Sequence, residues 1–162
     1  MKAILQRVVS ASVTVEKELV SSIGRGVLVL AAVAPGDTEK EADSLAAKIV
    51  KLRLWDDDEG GTWKKSVADI GGEVLCVSQF TLFASTKKSK PSFSGAMGGD
   101  EAKRLYDYFV QKVRDSYQAD RVQDGVFRAM MQVALVNDGP VTIEVSAQPK
   151  PHPDKKAQDG VD

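Results

Sequence analysis

Apolar and polar residues alternate from Lys2 to Val15 in a Val-rich run, the period-two pattern of a strand with one buried face. Glu16-Lys17-Glu18 interrupts it as a polar turn, and Leu19 to Ile23 returns as a hairpin partner. Gly26 to Val33 is apolar throughout, which predicts a strand covered on both faces, and Pro35-Gly36-Asp37 breaks it. The spacing then becomes helical. Thr38-Glu39-Lys40-Glu41 fits a capping box, and Ala42, Leu45, Ala46, Ile49 and Leu52 fall on one face. Leu52 to Trp55 alternates again, and an acidic loop follows at Asp56 to Gly61. Glu73 to Leu82 reads as a central strand, and residues 84–99 as a Ser-, Lys- and Gly-rich loop. A second helix is predicted from Asp100 to Ser116, burying Ala102, Leu105, Tyr106, Phe109 and Val113. Arg121 to Asp124, Ala129 to Val136 and Val141 to Ser146 complete the strands, with Asn137-Asp138-Gly139-Pro140 turning between the last two. Residues 147–162 are polar and Pro-rich and read as a disordered tail.

Seven or eight strands with two helices, and no repeat, point to one domain over residues 1–146. Its predicted class is α+β: a barrel-like, mostly antiparallel sheet with the two helices packed outside. The 162 residues suffice to bury a core. A formal charge of −1 argues against a protein that grips long stretches of nucleic acid, DNA included. It leaves room for a small basic patch that touches only the end of an RNA. No apolar run approaches the roughly 18 residues of a membrane span, and the start of the chain lacks a secretory or transit pattern. The expected address is the cytoplasm, which one cysteine, Cys76, also favours.

The chemistry is first constrained by what is missing. The single histidine, His152, sits in the Pro- and Lys-rich tail, so a Ser-His-Asp or Cys-His machine has no rigidly held imidazole. Neither the histidine nor the cysteine content suits a zinc site, and the acidic loop lacks EF-hand spacing and reads as a solvated turn. No metal or cofactor is expected. Cys76 lies in the apolar half of its strand and reads as an inert core thiol.

Polar residues with no obvious structural role are concentrated in two segments, Ser78-Gln79-Phe80-Thr81 and Asn137-Asp138-Gly139-Pro140-Val141-Thr142. They resemble the Ser-Gln-x-Thr and Asn-x-Gly-Pro-Val-Thr signatures of the D-aminoacyl-tRNA deacylase family. The likeness extends in order through Gln6-Arg7-Val8, Ala11-Ser12-Val13, the Gly26 strand and Lys90-Pro91-Ser92-Phe93, over residues 1 to 146. It implies hydrolysis of the ester of D-aminoacyl-tRNA, and of glycine mischarged on tRNA-Ala, by a homodimer with sites at the subunit interface. Ser78, Gln79, Phe80 and Thr81 of one subunit then face Gly139 and Pro140 of the other, through a Gly-Pro bond that is cis in the family. A relative with relaxed chirality has a different first motif, so intact Ser78-Gln79-Phe80-Thr81 resembles the strictly D-specific type. The resemblance also implies that Arg7 orients the Gly-Pro loop and that Phe127 and Met131 line an adenine pocket. From the residues alone, Arg7 suits an ordinary ion pair equally and Met131 suits core packing.

An aminoacyl ester is already activated, so positioning and electrostatics suffice to cleave it. Backbone N–H groups near Phe80 and Thr81 are the expected oxyanion donors. Thr81 has no base to activate it and is ranked as a positioning residue above a nucleophile. The 2′-hydroxyl of the terminal ribose is the proton-handling group that the family resemblance implies. Lys87, Lys88 and Lys90 suit the phosphates of the CCA end, and a merely solvated loop accounts for them equally well. Two other readings stand beside the enzyme: a non-catalytic dimeric RNA-end or nucleotide binder of the same fold, and a small-molecule esterase.

Overall fold

A computed structural model describes residues 1–151, so His152 and residues 152–162 lie outside the described residues. The described residues order eight strands and two α-helices: β1 (Lys2–Val15), β2 (Glu18–Ile23), β3 (Gly26–Ala32), α1 (Glu39–Lys51), β4 (Arg53–Trp55), β5 (Lys65–Ser66), β6 (Glu73–Ser78), α2 (Gly99–Ser116), β7 (Val122–Asp124) and β8 (Gln132–Ser146). The turn between β1 and β2 uses Glu16 and Lys17, both with positive φ. The capping box predicted at Thr38 is present. The Thr38 hydroxyl accepts from Lys40 N at 3.3 Å and the Glu41 carboxylate accepts from Thr38 N at 2.7 Å.

The main sheet runs β2-β1-β3-β6-β7, with β8 paired along nearly the whole of β1. Strand β1 is antiparallel to β2, β3 and β8, whereas β3-β6 and β6-β7 are parallel, so the sheet is mixed within its antiparallel majority. Strands β3 and β6 are buried on both faces, as their unbroken apolar sequences require. Val27, Val29, Val74 and Cys76 face α1 and α2, while Leu28, Leu75 and Val77 join a second core with Val8, Val13 and Ile23 on the opposite face. Side chains from four strands converge there, and β2 comes back into contact with β7. The sheet therefore curls towards a barrel, with the helices outside.

Three sequence expectations are corrected. The central strand ends at Ser78 rather than Leu82, because β3 offers no rung beyond Ala31, and Phe80–Phe83 forms a 3-10 turn instead. Ala129 to Met131 precedes the last strand rather than opening it. The two final strands are one, β8: both halves pair with β1, and Asn137 to Pro140 is a bulge rather than a turn. Gln6 faces Thr142 and Val8 faces Asn137, so two steps along β1 are matched by five along β8. Of the tail, the described residues 147–151 form no helix or strand, and Ala147 N donates to Met1 O at 2.9 Å.

Candidate active site

The end of β6 builds the first wall. Ser78 is the last residue paired with β3, opposite Ala31, and Gln79 N adds one more bond to Ala31 O at 2.8 Å. The chain then tightens into the 3-10 turn, with Leu82 N bonded to Gln79 O at 3.2 Å and Ala84 N to Thr81 O at 3.1 Å. The first N–H groups of a helical turn have no partner within it. Those of Phe80 and Thr81 have none among the described residues. The Gln79 side-chain amide donates to the Thr81 hydroxyl. Phe80 is exposed, edge-on to Phe93 with ring centroids 5.1 Å apart. Phe93 comes from the loop after β6, which folds back through paired Ser85 and Ser92.

A cleft of about 510 Å³ opens beside this wall. It brings Ser78, Gln79 and Phe80 together with Phe127 and Met131, which come from the connection between β7 and β8. Thr81 stands on the 3-10 turn outside the lining. Phe127 rests against Tyr106, with centroids 5.5 Å apart, and Met131 Sδ accepts a hydrogen bond from Val126 N at 3.4 Å. Met131 thus packs and lines the cleft at once. Tyr106, Met97, Arg128 and Met130 also line it and were not singled out from sequence. Tyr106 carried only a core signal, because it repeats at helical spacing with Ala102 and Phe109. Arg128 offered a cation next to an aromatic, which alone is common.

Tyr106 donates to Asp124 Oδ1 at 2.7 Å, and burial pushes the Tyr106 hydroxyl well above its ordinary value. Burial also raises the Asp124 carboxyl, a shift that the hydrogen bond from Tyr106 opposes. Cys76, fully buried, has its thiol pushed up by desolvation and then by the Asp124 charge, which suits an inert core group.

Arg7 stands elsewhere, on β1. It donates from Nε to Asp138 O at 3.1 Å and from Nη1 to Leu54 O at 2.5 Å, with Asp138 Oδ2 3.4 Å from Nε. Those bonds hold the β8 bulge that carries the exposed Gly139 and Pro140. The peptide between these two is cis, and Gly139 has φ 123°. Within one chain neither residue lines the cleft. Lys87, Lys88 and Lys90 are exposed in the loop and are also outside the lining. Asp57 in the acidic turn accepts from Glu59 N and Gly61 N. No His, Cys, Asp and Glu cluster suited to a metal exists among the described residues. No helix among them is long and apolar enough to cross a membrane.

Residues 4–146 match the family model described as D-Tyr-tRNA(Tyr) deacylase. The chain is 52% identical over 147 residues to the D-aminoacyl-tRNA deacylase of Yarrowia lipolytica, covering 89% of this chain and 96% of that protein. It is 47% identical to the D-aminoacyl-tRNA deacylase of Drosophila melanogaster, covering 96% and 98%. With the human D-aminoacyl-tRNA deacylase 1 it shares 47% identity over 91% of this chain and 70% of that protein. Among solved structures it resembles one titled c-Myc DNA Unwinding Element Binding Protein, with TM-score 0.88, 46% identity and 92% of this chain covered against 100% of that one. A second, described as a probable eukaryotic D-amino acid tRNA deacylase, has TM-score 0.75 at 17% identity, covers 90% of this chain and 98% of its own, and supports the fold alone.

Proposed function

The chain belongs to the D-Tyr-tRNA(Tyr) deacylase family, and from that premise we propose that it is a hydrolase which cleaves the ester of D-aminoacyl-tRNA and spares the L ester. The observation that carries the reading is the cleft, in which the Ser78-Gln79-Phe80 wall and the Phe127 ring share one space of nucleoside size. The terminal adenine lies against Phe127 and Met131, where a base on an aromatic ring gains about 1–3 kcal/mol. That places the ester towards the unpartnered N–H groups of Phe80 and Thr81, which accept the oxyanion as the carbonyl becomes tetrahedral. Thr81, held by the Gln79 amide and without a histidine among the described residues to deprotonate it, positions the substrate. Water adds to the ester carbonyl, the bond to the ribose 3′-oxygen breaks, and the 2′-hydroxyl passes the water proton to that departing oxygen, leaving free amino acid and tRNA.

Handedness comes from a second copy of the chain. In a homodimer the Gly139 and Pro140 carbonyls of the partner accept the α-ammonium and occupy the space where an L side chain would project. Glycine passes because it has no side chain, so glycyl-tRNA-Ala is a substrate as well. Arg7 orients that loop through its bonds to Asp138. Lys87, Lys88 and Lys90 meet phosphates of the CCA end. The catalytic domain is residues 1–146, with 147–162 outside it, and it works in the cytoplasm. A charge of −1 gives no support to duplex DNA as a partner.

The test is to incubate the protein with D-Tyr-tRNA and L-Tyr-tRNA and follow both esters. Loss of the D ester alone is expected. Binding without turnover would instead favour the RNA-end binder, and cleavage of both enantiomers a general esterase.

A further inference from the structure

The cleft is lined by apolar side chains, with Ser78, Gln79 and the tyrosine hydroxyl as its uncharged polar groups, and Arg128 is the only charged residue in its lining among the described residues. Its guanidinium carbon lies 5.4 Å from the centre of the Phe127 ring. Its backbone is left-handed, with φ 65°, a conformation that a residue with a long side chain adopts only at a cost. Its one ion pair among the described residues is with Asp100 Oδ1, at 3.7 Å, between a half-exposed arginine and a fully exposed aspartate. Exposed pairs of that length contribute little, so Asp100 is easily exchanged for a better anion. A nucleotide whose base lies against Phe127 brings its 5′-phosphate within reach of a cation beside that ring, and the half-exposed Arg128 is such a cation. A guanidinium matches phosphate through two parallel hydrogen bonds, which a carboxylate at 3.7 Å does not supply.

We propose that Arg128 binds the phosphodiester joining the terminal adenosine to the nucleotide before it, leaving Asp100 when the RNA end enters. The proposal rests on the reading of the cleft as an adenosine site and adds a contact which that reading does not contain. Arg128 then anchors the terminal nucleotide from its phosphate side while Phe127 holds its base. The residue selects for a polynucleotide end over a free nucleoside ester, a discrimination the apolar walls cannot make.

The probes are adenosine and adenosine 5′-monophosphate, titrated into the intact protein by calorimetry, so that no turnover is needed. The native protein is expected to bind the monophosphate about tenfold more tightly, with the advantage shrinking as salt rises. Arg128→Gln should remove the advantage and leave adenosine affinity unchanged, and Arg128→Lys should keep part of it. In deacylation of D-Tyr-tRNA, Arg128→Gln should raise KM with kcat little altered. Equal affinity of the native protein for both probes overturns the proposal. So does a variant that weakens both probes alike, since Arg128 would then act only by supporting Phe127. A monophosphate preference without deacylation would sink the enzymatic reading and leave this contact standing. Deacylation without the preference would do the reverse.

Discussion

Gly139 holds a φ of 123°, where a side chain is strained, and a Cβ built there would meet a Val141 methyl carbon at 3.0 Å and Arg7 Nη2 at 3.1 Å. An alanine must therefore displace either the bulge or the arginine that holds it. Left-handed backbone costs a non-glycine residue about 1–2 kcal/mol, and the displaced carbonyls are the ones proposed to face the substrate. Gly139→Ala is expected to lower kcat/KM for D-Tyr-tRNA by about tenfold or more. Thr81→Ala should cost less, because the Phe80 and Thr81 main-chain N–H groups survive it. Steady-state kinetics on the two variants checks the order. An acyl group trapped on Thr81 and seen by mass spectrometry would reverse it. At this scale the sequence was most legible where a residue type has one use. Cys76 in an apolar strand was readable as inert. Arg7 was not resolved by the residues alone, since a guanidinium bridging Leu54 O and Asp138 O requires two segments far apart in the chain.

Local rules settle some elements and fail at others for identifiable reasons. The α1 start was legible because the capping box is a four-residue interaction. Thr38→Ala should lower stability by about 1 kcal/mol in urea denaturation, with deacylation unchanged. The pH dependence follows from Glu41, whose carboxyl is held below its ordinary value chiefly by the Thr38 hydroxyl. A lowered carboxyl stabilises the fold above 4.5 and loses that contribution as pH falls through its lowered value. The acid limb of the stability curve should accordingly be shallower in Thr38→Ala. The 3-10 turn was not legible, since Val77, Phe80 and Leu82 among polar residues continue to look like a strand. What ends β6 is the loss of a partner, as β3 stops and Pro35 follows. The bulge in β8 is hidden for a similar reason. Asn-Asp-Gly-Pro carries turn chemistry, yet β1 is 14 residues long and offers both halves of β8 the same partner. Among the described residues strand β8 pairs only with β1, and an edge bulge tolerates the loss of the N–H that proline lacks at position 140.

The assembled chain leaves two things unfinished on its surface. Met130 is 90% exposed and Phe80 56%, although both line the cleft, and Val136, just before the bulge, is 55% exposed. Large apolar groups left open around a site are what an interface with another chain would cover. Gly139 and Pro140, meanwhile, lie outside the cleft of their own chain. A symmetric dimer would resolve both, by bringing the bulge of each copy to the cleft of the other. Subunit exchange decides between that arrangement and a site complete within one chain. One parent carries Phe80→Pro, which deletes one of the proposed oxyanion N–H groups, the other Gly139→Ala, and each alone should be severely impaired. In mixed dimers built across the interface, one site combines both lesions and the other has neither. Random exchange should restore about a quarter of the native sites, and of the native rate on D-Tyr-tRNA, since half the dimers are mixed and each of those has one intact site. If every site were built within a single chain, each would keep one lesion after mixing, and no activity would return.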